Sequence, residues 1–155
     1  NNTWEQTRDE VYQRYQVNEE DGYTITSKNS YCNGCFAGGI NFASSIVSLL
    51  YGEGDLKETI KIGVLCGWDS DNPTATWGGL LGFMYGKKGI ENTFSRTFSE
   101  KFNIHRTRQN FPKNGMDNFS NMSNTGVFIV DRVVQNYMNG GVDLNKNLWY
   151  VPAQK

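Results

Sequence analysis

Apolar positions recur with a helical period through the first part of the chain. Trp4, Val11 and Tyr15 share one helical face at i, i+7 and i+11, and Thr3-Trp4-Glu5-Gln6 has the form of a capping box. These signals predict a helix running to about Val17. Asp21-Gly22 is a turn signal, and residues 23–34 are mostly polar with no helical stripe, which predicts a loop. From Cys35 to Tyr51 the chain is apolar or small on most sides, the pattern of a buried helix, and Gly52 ends it. Asp55 and Glu58 open the next helix, with Leu56, Ile60, Gly63 and Val64 as its inward stripe and Gly67 at its end.

A further helix is predicted to begin with Asn72 as N-cap and Pro73 in its first position. Gly78, Gly82 and Gly86 follow at i, i+4 and i+8. A glycine in a helix interior costs about 1 kcal/mol relative to Ala, so a line of them implies a closely packed neighbour. Phe94, Phe98 and Phe102 have a spacing that permits a helix. Residues 103–124 are rich in Asn, Arg, Gly and Pro and read as a long loop. Val127, Val130, Val133, Val134, Tyr137 and Met138 mark a last helix, stopped by Gly140-Gly141, and the tail 142–155 has no period. No repeat and no convincing strand alternation is present, so the expected class is all-α.

Composition narrows the function classes. The chain has 155 residues and a net charge of −1 with acids and bases mixed, so it carries no basic nucleic-acid footprint. No apolar run reaches membrane-spanning length. The N-terminus has neither an initiator Met nor a signal pattern, which predicts a chain that begins mid-protein or after processing. Three cysteines are too few for a disulfide scaffold. Cys32 and Cys35 form a Cys-x-x-Cys without the βαβ context of a redox site. A zinc site drawing on Cys66 and His105 would match no standard finger spacing. The expectation is that all three cysteines are small, part-buried residues. Arg106 and Arg108 are expected to be solvated surface arginines rather than phosphate ligands.

The candidate chemistry lies between two helices, in Cys66-Gly67-Trp68-Asp69-Ser70-Asp71-Asn72. Asp69 and Asp71 stand at i and i+2 in a short turn, where both carboxylates can aim at one point. Two ionised carboxylates so close repel each other unless solvent or a cation intervenes. A hard divalent cation with oxygen ligands suits them; helix capping is the alternative. The spacing is not that of an EF-hand, since Thr74 and Leu80 stand where that loop needs Gly and Glu.

Residues 34–90 resemble the C-terminal part of an ADP-ribosylglycohydrolase domain. Tyr51-Gly52-Glu53-Gly54-Asp55 resembles that family's turn after an apolar helix. Ile60 through Asn72 resembles its helix leading into a metal loop. Gly78-Gly79-Leu80-Leu81-Gly82-Phe83-Met84-Tyr85-Gly86 resembles its glycine-lined helix, and Ile90 sits where many members have Ile-Pro. The resemblance implies an all-α, orthogonal helical bundle with two Mg2+ or Mn2+ ions. Their ligands come from an early Thr/Ser-Asp-Asp motif and a late Asp-x-Asp-Thr/Ser motif. Asp69 and Asp71 match the late aspartates. Asn72 replaces the usual Thr or Ser, and its carbonyl oxygen is a candidate third ligand.

The early motif is absent from this sequence. The resemblance therefore implies that residues 1–92 are the C-terminal half of the catalytic domain, with the N-terminal half as a separate or cleaved partner chain. Residues 93–155 would be a loop-rich extension whose one helix, about 125–139, packs on the same domain. The implied activity is hydrolysis of an N- or O-glycosidic bond to ADP-ribose, with Asp69 and Asp71 in the catalytic metal site. Tyr31 and Asn33, in the loop before the apolar helix, would contact an ADP-ribose-containing substrate. Trp68 is expected to pack against neighbouring helices. A catalytically inactive, crystallin-like or ligand-binding member is the main alternative, and a helical interaction module outside the family is the other.

Overall fold

In the computed structural model, residues 2–104 and 110–153 are described. The chain divides into two units, residues 1–97 and 98–155. Asn1, the candidate zinc ligand His105 and the arginines Arg106 and Arg108 lie outside the described residues.

The first unit is helical. Helix α1 spans Trp4–Val11 and continues as a π-helical segment, Tyr12–Val17. Its start is the anticipated capping box: Thr3 Oγ1 accepts from the Gln6 N–H and the Gln6 side chain accepts from the Thr3 N–H. Helix α2 spans Gly38–Gly52, α3 Leu56–Leu65 and α4 Asp71–Phe94. Helices α2, α3 and α4 pack on one another, and α1 lies on α2. Two small apolar clusters form the core. Ile25, Ala37 and Ile40 make one; Val47, Ile62 and Cys66 make the other, and Val11 and Trp68 touch both.

Several boundaries and faces differ from the sequence pattern. Helix α2 begins at Gly38 rather than Cys35, because a Cys32–Cys35 disulfide closes a turn before it. Cys32 and Cys35 are part-buried, as expected of small residues, but they are bonded to each other; Cys66 is free and buried. The buried side of α2 is Ile40, Asn41, Ser44, Val47 and Ser48, small and polar enough to admit close neighbours, while Phe42 (68% exposed) and Leu50 (66%) face outward. The buried track of α3 is Leu56, Thr59, Ile62 and Gly63; Ile60 is half-buried and Val64 exposed.

Close approach explains part of the glycine pattern. A Cβ on Gly63 would lie 3.3 Å from Thr74 Cγ2, and one on Gly78 would lie 3.4 Å from Ile60 Cδ1. Gly86 has a different job: at φ 65° and ψ 168° it interrupts α4, and a Cβ on Gly82 would meet Ile90 of the returning segment at 3.2 Å.

The second unit contains two antiparallel strand pairs and one helix. Strand β1 (Lys101–Asn103) pairs with β2 (Met116–Asn118), and β3 (Gly141–Asp143) with β4 (Leu148–Tyr150). Of the three spaced phenylalanines, only Phe94 is helical, at the end of α4; Phe98 lies outside any helix and Phe102 is in a strand. Helix α5 spans Phe119–Tyr137, well before Val127, because Asn118 caps it by accepting from the Asn121 N–H at 2.8 Å. Among the described residues, no helix is long and apolar enough to cross a membrane.

Candidate functional site

The loop between α3 and α4 is built on two consecutive left-handed residues. Gly67 has φ 86°, which glycine adopts freely. Trp68 has φ 54°, a conformation costing a bulky L-residue roughly 1–2 kcal/mol. Trp68 stays there because its ring packs on both core clusters and its Nε1 donates to Gln16 Oε1. Packing is thus part of its role, as expected, and the indole N–H adds a specific tether.

Two buried amides hold this loop to the segment before α2. Gln16 is 8% exposed and sits in the π-helical segment. Its Oε1 accepts from Trp68 and its Nε2 donates to the Asn33 carbonyl at 2.9 Å. Asn41 is 7% exposed in the first turns of α2. Its Oδ1 accepts the Asp69 N–H at 3.1 Å, and its Nδ2 donates to the carbonyls of Cys35 (2.7 Å) and Ala37 (3.0 Å). Both side-chain amides therefore use donor and acceptor together, as buried amides must.

The carboxylates follow from this scaffold. Asp69 is half-buried and Asp71 exposed. Helix α4 begins at Asp71, with Ser70 in the cap position, so Asn72 and Pro73 occupy its second and third positions rather than N-cap and first. Pro73 is still tolerated, since first-turn N–H groups have no helical acceptor. The neighbouring Asp71 carboxyl, followed by burial, raises the Asp69 carboxyl above its ordinary range; the Asn72 bond opposes the rise. Asn72 Nδ2 donates to Asp69 Oδ2 at 2.6 Å, leaving Asn72 Oδ1 as its remaining acceptor.

This donor set fits a hard cation in part. Two carboxylates this close in a short turn are relieved by a positive charge, and their oxygens suit Mg2+ or Mn2+. Among the described residues, no group of three or more His, Cys, Asp or Glu side chains gathers at one point. Asp69 and Asp71 are therefore an incomplete ligand set. The disulfide removes Cys32 and Cys35 from any zinc site.

Tyr31 and Asn33 are both on the surface. Tyr31 is 91% exposed, with its ring 5.8 Å from that of Phe36 in an edge contact. Asn33 is exposed, with φ 47°, and its carbonyl is the one that Gln16 holds. The two amide bridges run between these loops, and sequence reasoning overlooked both. Asn41 had a visible signal, as the amide in the otherwise apolar and small run from Phe36 to Leu50. Gln16 had only its place beside Tyr15.

A model of the ADP-ribosylglycohydrolase family matches residues 3–117, well beyond residues 34–90 on which the motif resemblance rests. Neither a curated protein nor a solved structure matches the chain. The match covers most of the chain, including both tethered loops and the Asp69–Asp71 pair. The chain belongs to the ADP-ribosylglycohydrolase family.

Proposed function

We propose that this chain supplies one side of a divalent-metal site in a hydrolase that cleaves an N- or O-glycosidic bond to ADP-ribose. The observation that carries the reading is the placement of Asp69 and Asp71 two residues apart in a loop anchored at Trp68 and Asp69 by buried amides. Asp69 and Asp71 would hold Mg2+ or Mn2+, with Asn72 Oδ1 as a candidate third donor. Two such ions would supply Lewis-acid activation of water and neutralise developing negative charge. Tyr31 offers an exposed ring to stack on the adenine or ribose, and Asn33 offers a side-chain amide for hydrogen bonding.

The remaining ligands would come from outside this chain, in the N-terminal half of the domain as a separate or cleaved partner. The outward apolar side chains of α2 and α4, Phe42, Leu50, Leu80, Phe83 and Met84, fit burial beneath such a partner. A second reading is a family member that binds without catalysis. Its support is Asn72, which replaces the usual hydroxyl residue and spends its amide nitrogen on Asp69.

The test is release of ADP-ribose from ADP-ribosylated substrates by this chain together with the N-terminal half of the domain, with Mg2+ or Mn2+, repeated with chelator. Chelator-sensitive release lost in Asp69→Ala and Asp71→Ala supports the hydrolase. Metal binding without release on any acceptor supports the second reading, and release insensitive to chelator contradicts both.

A further inference from the structure

We infer that Gln16 and Asn41 are positioning residues that clamp the Asp69 loop to the Tyr31–Ala37 segment. The inference rests on the metal-site reading above for its consequence, and on geometry for its content. The two amides lie on different helical segments. Each reaches one side of the same loop: Gln16 takes the Trp68 indole N–H and Asn41 the Asp69 backbone N–H. Each also reaches back to a backbone carbonyl of the opposite segment, Asn33 for Gln16 and Cys35 for Asn41.

Ordinary core packing does not require this arrangement. A buried amide must find partners for both its polar ends, and an apolar side chain of similar size would fill the same space without that demand. The amides fix the direction of the loop, which packing alone leaves loose. Trp68 is left-handed at φ 54°, and Asp69 follows it directly, so release of either tether lets the backbone relax and swings the Asp69 carboxylate away from Asp71. Groups that orient ligands in this way typically change metal affinity by about 10–100-fold when removed.

The test uses the whole chain with Asn41→Ala, Asn41→Asp, Gln16→Met and the destabilising control Leu56→Val, which touches neither amide. Two quantities are read: hydrogen exchange of the Asp69 amide by NMR, and Mn2+ affinity by calorimetry. We expect Asn41→Ala to speed Asp69 exchange more than that of neighbouring α3 amides and to weaken Mn2+ about 10-fold or more. Asn41→Asp retains an acceptor for the Asp69 N–H and so keeps more of its protection than Asn41→Ala. Gln16→Met acts through Trp68 and reports the clamp even where an Asn41 variant fails to fold. Leu56→Val lowers the melting temperature without changing Mn2+ affinity. Unchanged Asp69 exchange in folded Asn41→Ala and Gln16→Met overturns the clamp. So does local loosening with unaltered Mn2+ affinity, or an equal loss of affinity in Leu56→Val. If the unaltered chain takes up no Mn2+, the metal-site reading falls instead, and the exchange arm alone decides the clamp.

Discussion

Gln16 and Trp68 are joined side chain to side chain across 52 residues of sequence. The bond ties the end of the first helical segment to the loop that carries the carboxylates, and it is nine-tenths buried at Gln16. Gln16→Met would strand the Trp68 N–H and the Asn33 carbonyl, each at a cost of about 1–3 kcal/mol if it stays dry. We expect Gln16→Met to lose about 2 kcal/mol or more in urea unfolding, and Gln16→Glu, which keeps an acceptor for the indole, to lose less. Equal stability of Gln16→Met and the parent would show that the bond is idle.

The contact of α2 with α3 is tightest where Gly52 meets Thr59. A Cβ at Gly52 would lie 2.8 Å from Thr59 Cα, so a shift of backbone is needed to admit it. Gly52→Ala should destabilise by about 1–3 kcal/mol, the range for overpacking. Thr59 Oγ1 is itself buried, with no hydrogen-bond partner among the described residues. Thr59→Val, which keeps the shape and removes the stranded hydroxyl, should be neutral or stabilising by about 1 kcal/mol. A large loss in Thr59→Val would reveal a partner for that hydroxyl.

The cysteines make a count that thiol titration can read. Cys32 and Cys35 are bonded, so one free thiol is expected. Burial pushes the Cys66 thiol up to about 11. A pKa raised in the folded state gives stability that is complete below the ordinary thiol value and is lost as pH rises through the folded one. Stability should therefore decline between about pH 9 and 11. In Ellman assays at pH 8 the native protein should react slowly and the unfolded protein should show one thiol; three thiols, or fast native reaction, would contradict this.

On the acid side, Glu19 is the group to follow. The Lys28 ammonium, bonded to its Oε2 at 2.8 Å, and the Ile25 N–H hold its carboxyl below the ordinary 4.5. A depressed carboxyl contributes stability that is present above 4.5 and is lost as pH falls through the folded value. NMR titration should place Glu19 below 4.5, and Lys28→Gln should move it upward. No movement in Lys28→Gln would mean that the surface pair contributes nothing.

What could be read from the sequence was whatever depends on near neighbours. The Thr3–Gln6 box and the Asp55 cap were legible because cap and partner stand three residues apart. Asn118 caps α5 by the same chemistry, yet it stands in a run of asparagines and serines where a cap is hard to single out. Each strand is three residues long, too short for alternation to register. The buried face of α2 was misjudged because apolarity was taken for burial, whereas close helix contacts selected Ser44 and Ser48 over Phe42 and Leu50. The Asp69–Asp71 turn was visible; its amide supports were not, because their bonds span 17, 28 and 52 residues.

Calorimetric titration of Mg2+ or Mn2+ into the protein, beside Asp69→Ala and Asp71→Ala, is the most direct test of the metal site. We predict saturable binding that each substitution weakens by at least about 10-fold, with helix content unchanged. Absence of binding, or binding equal in all three proteins, would contradict the assignment of Asp69 and Asp71 as metal ligands.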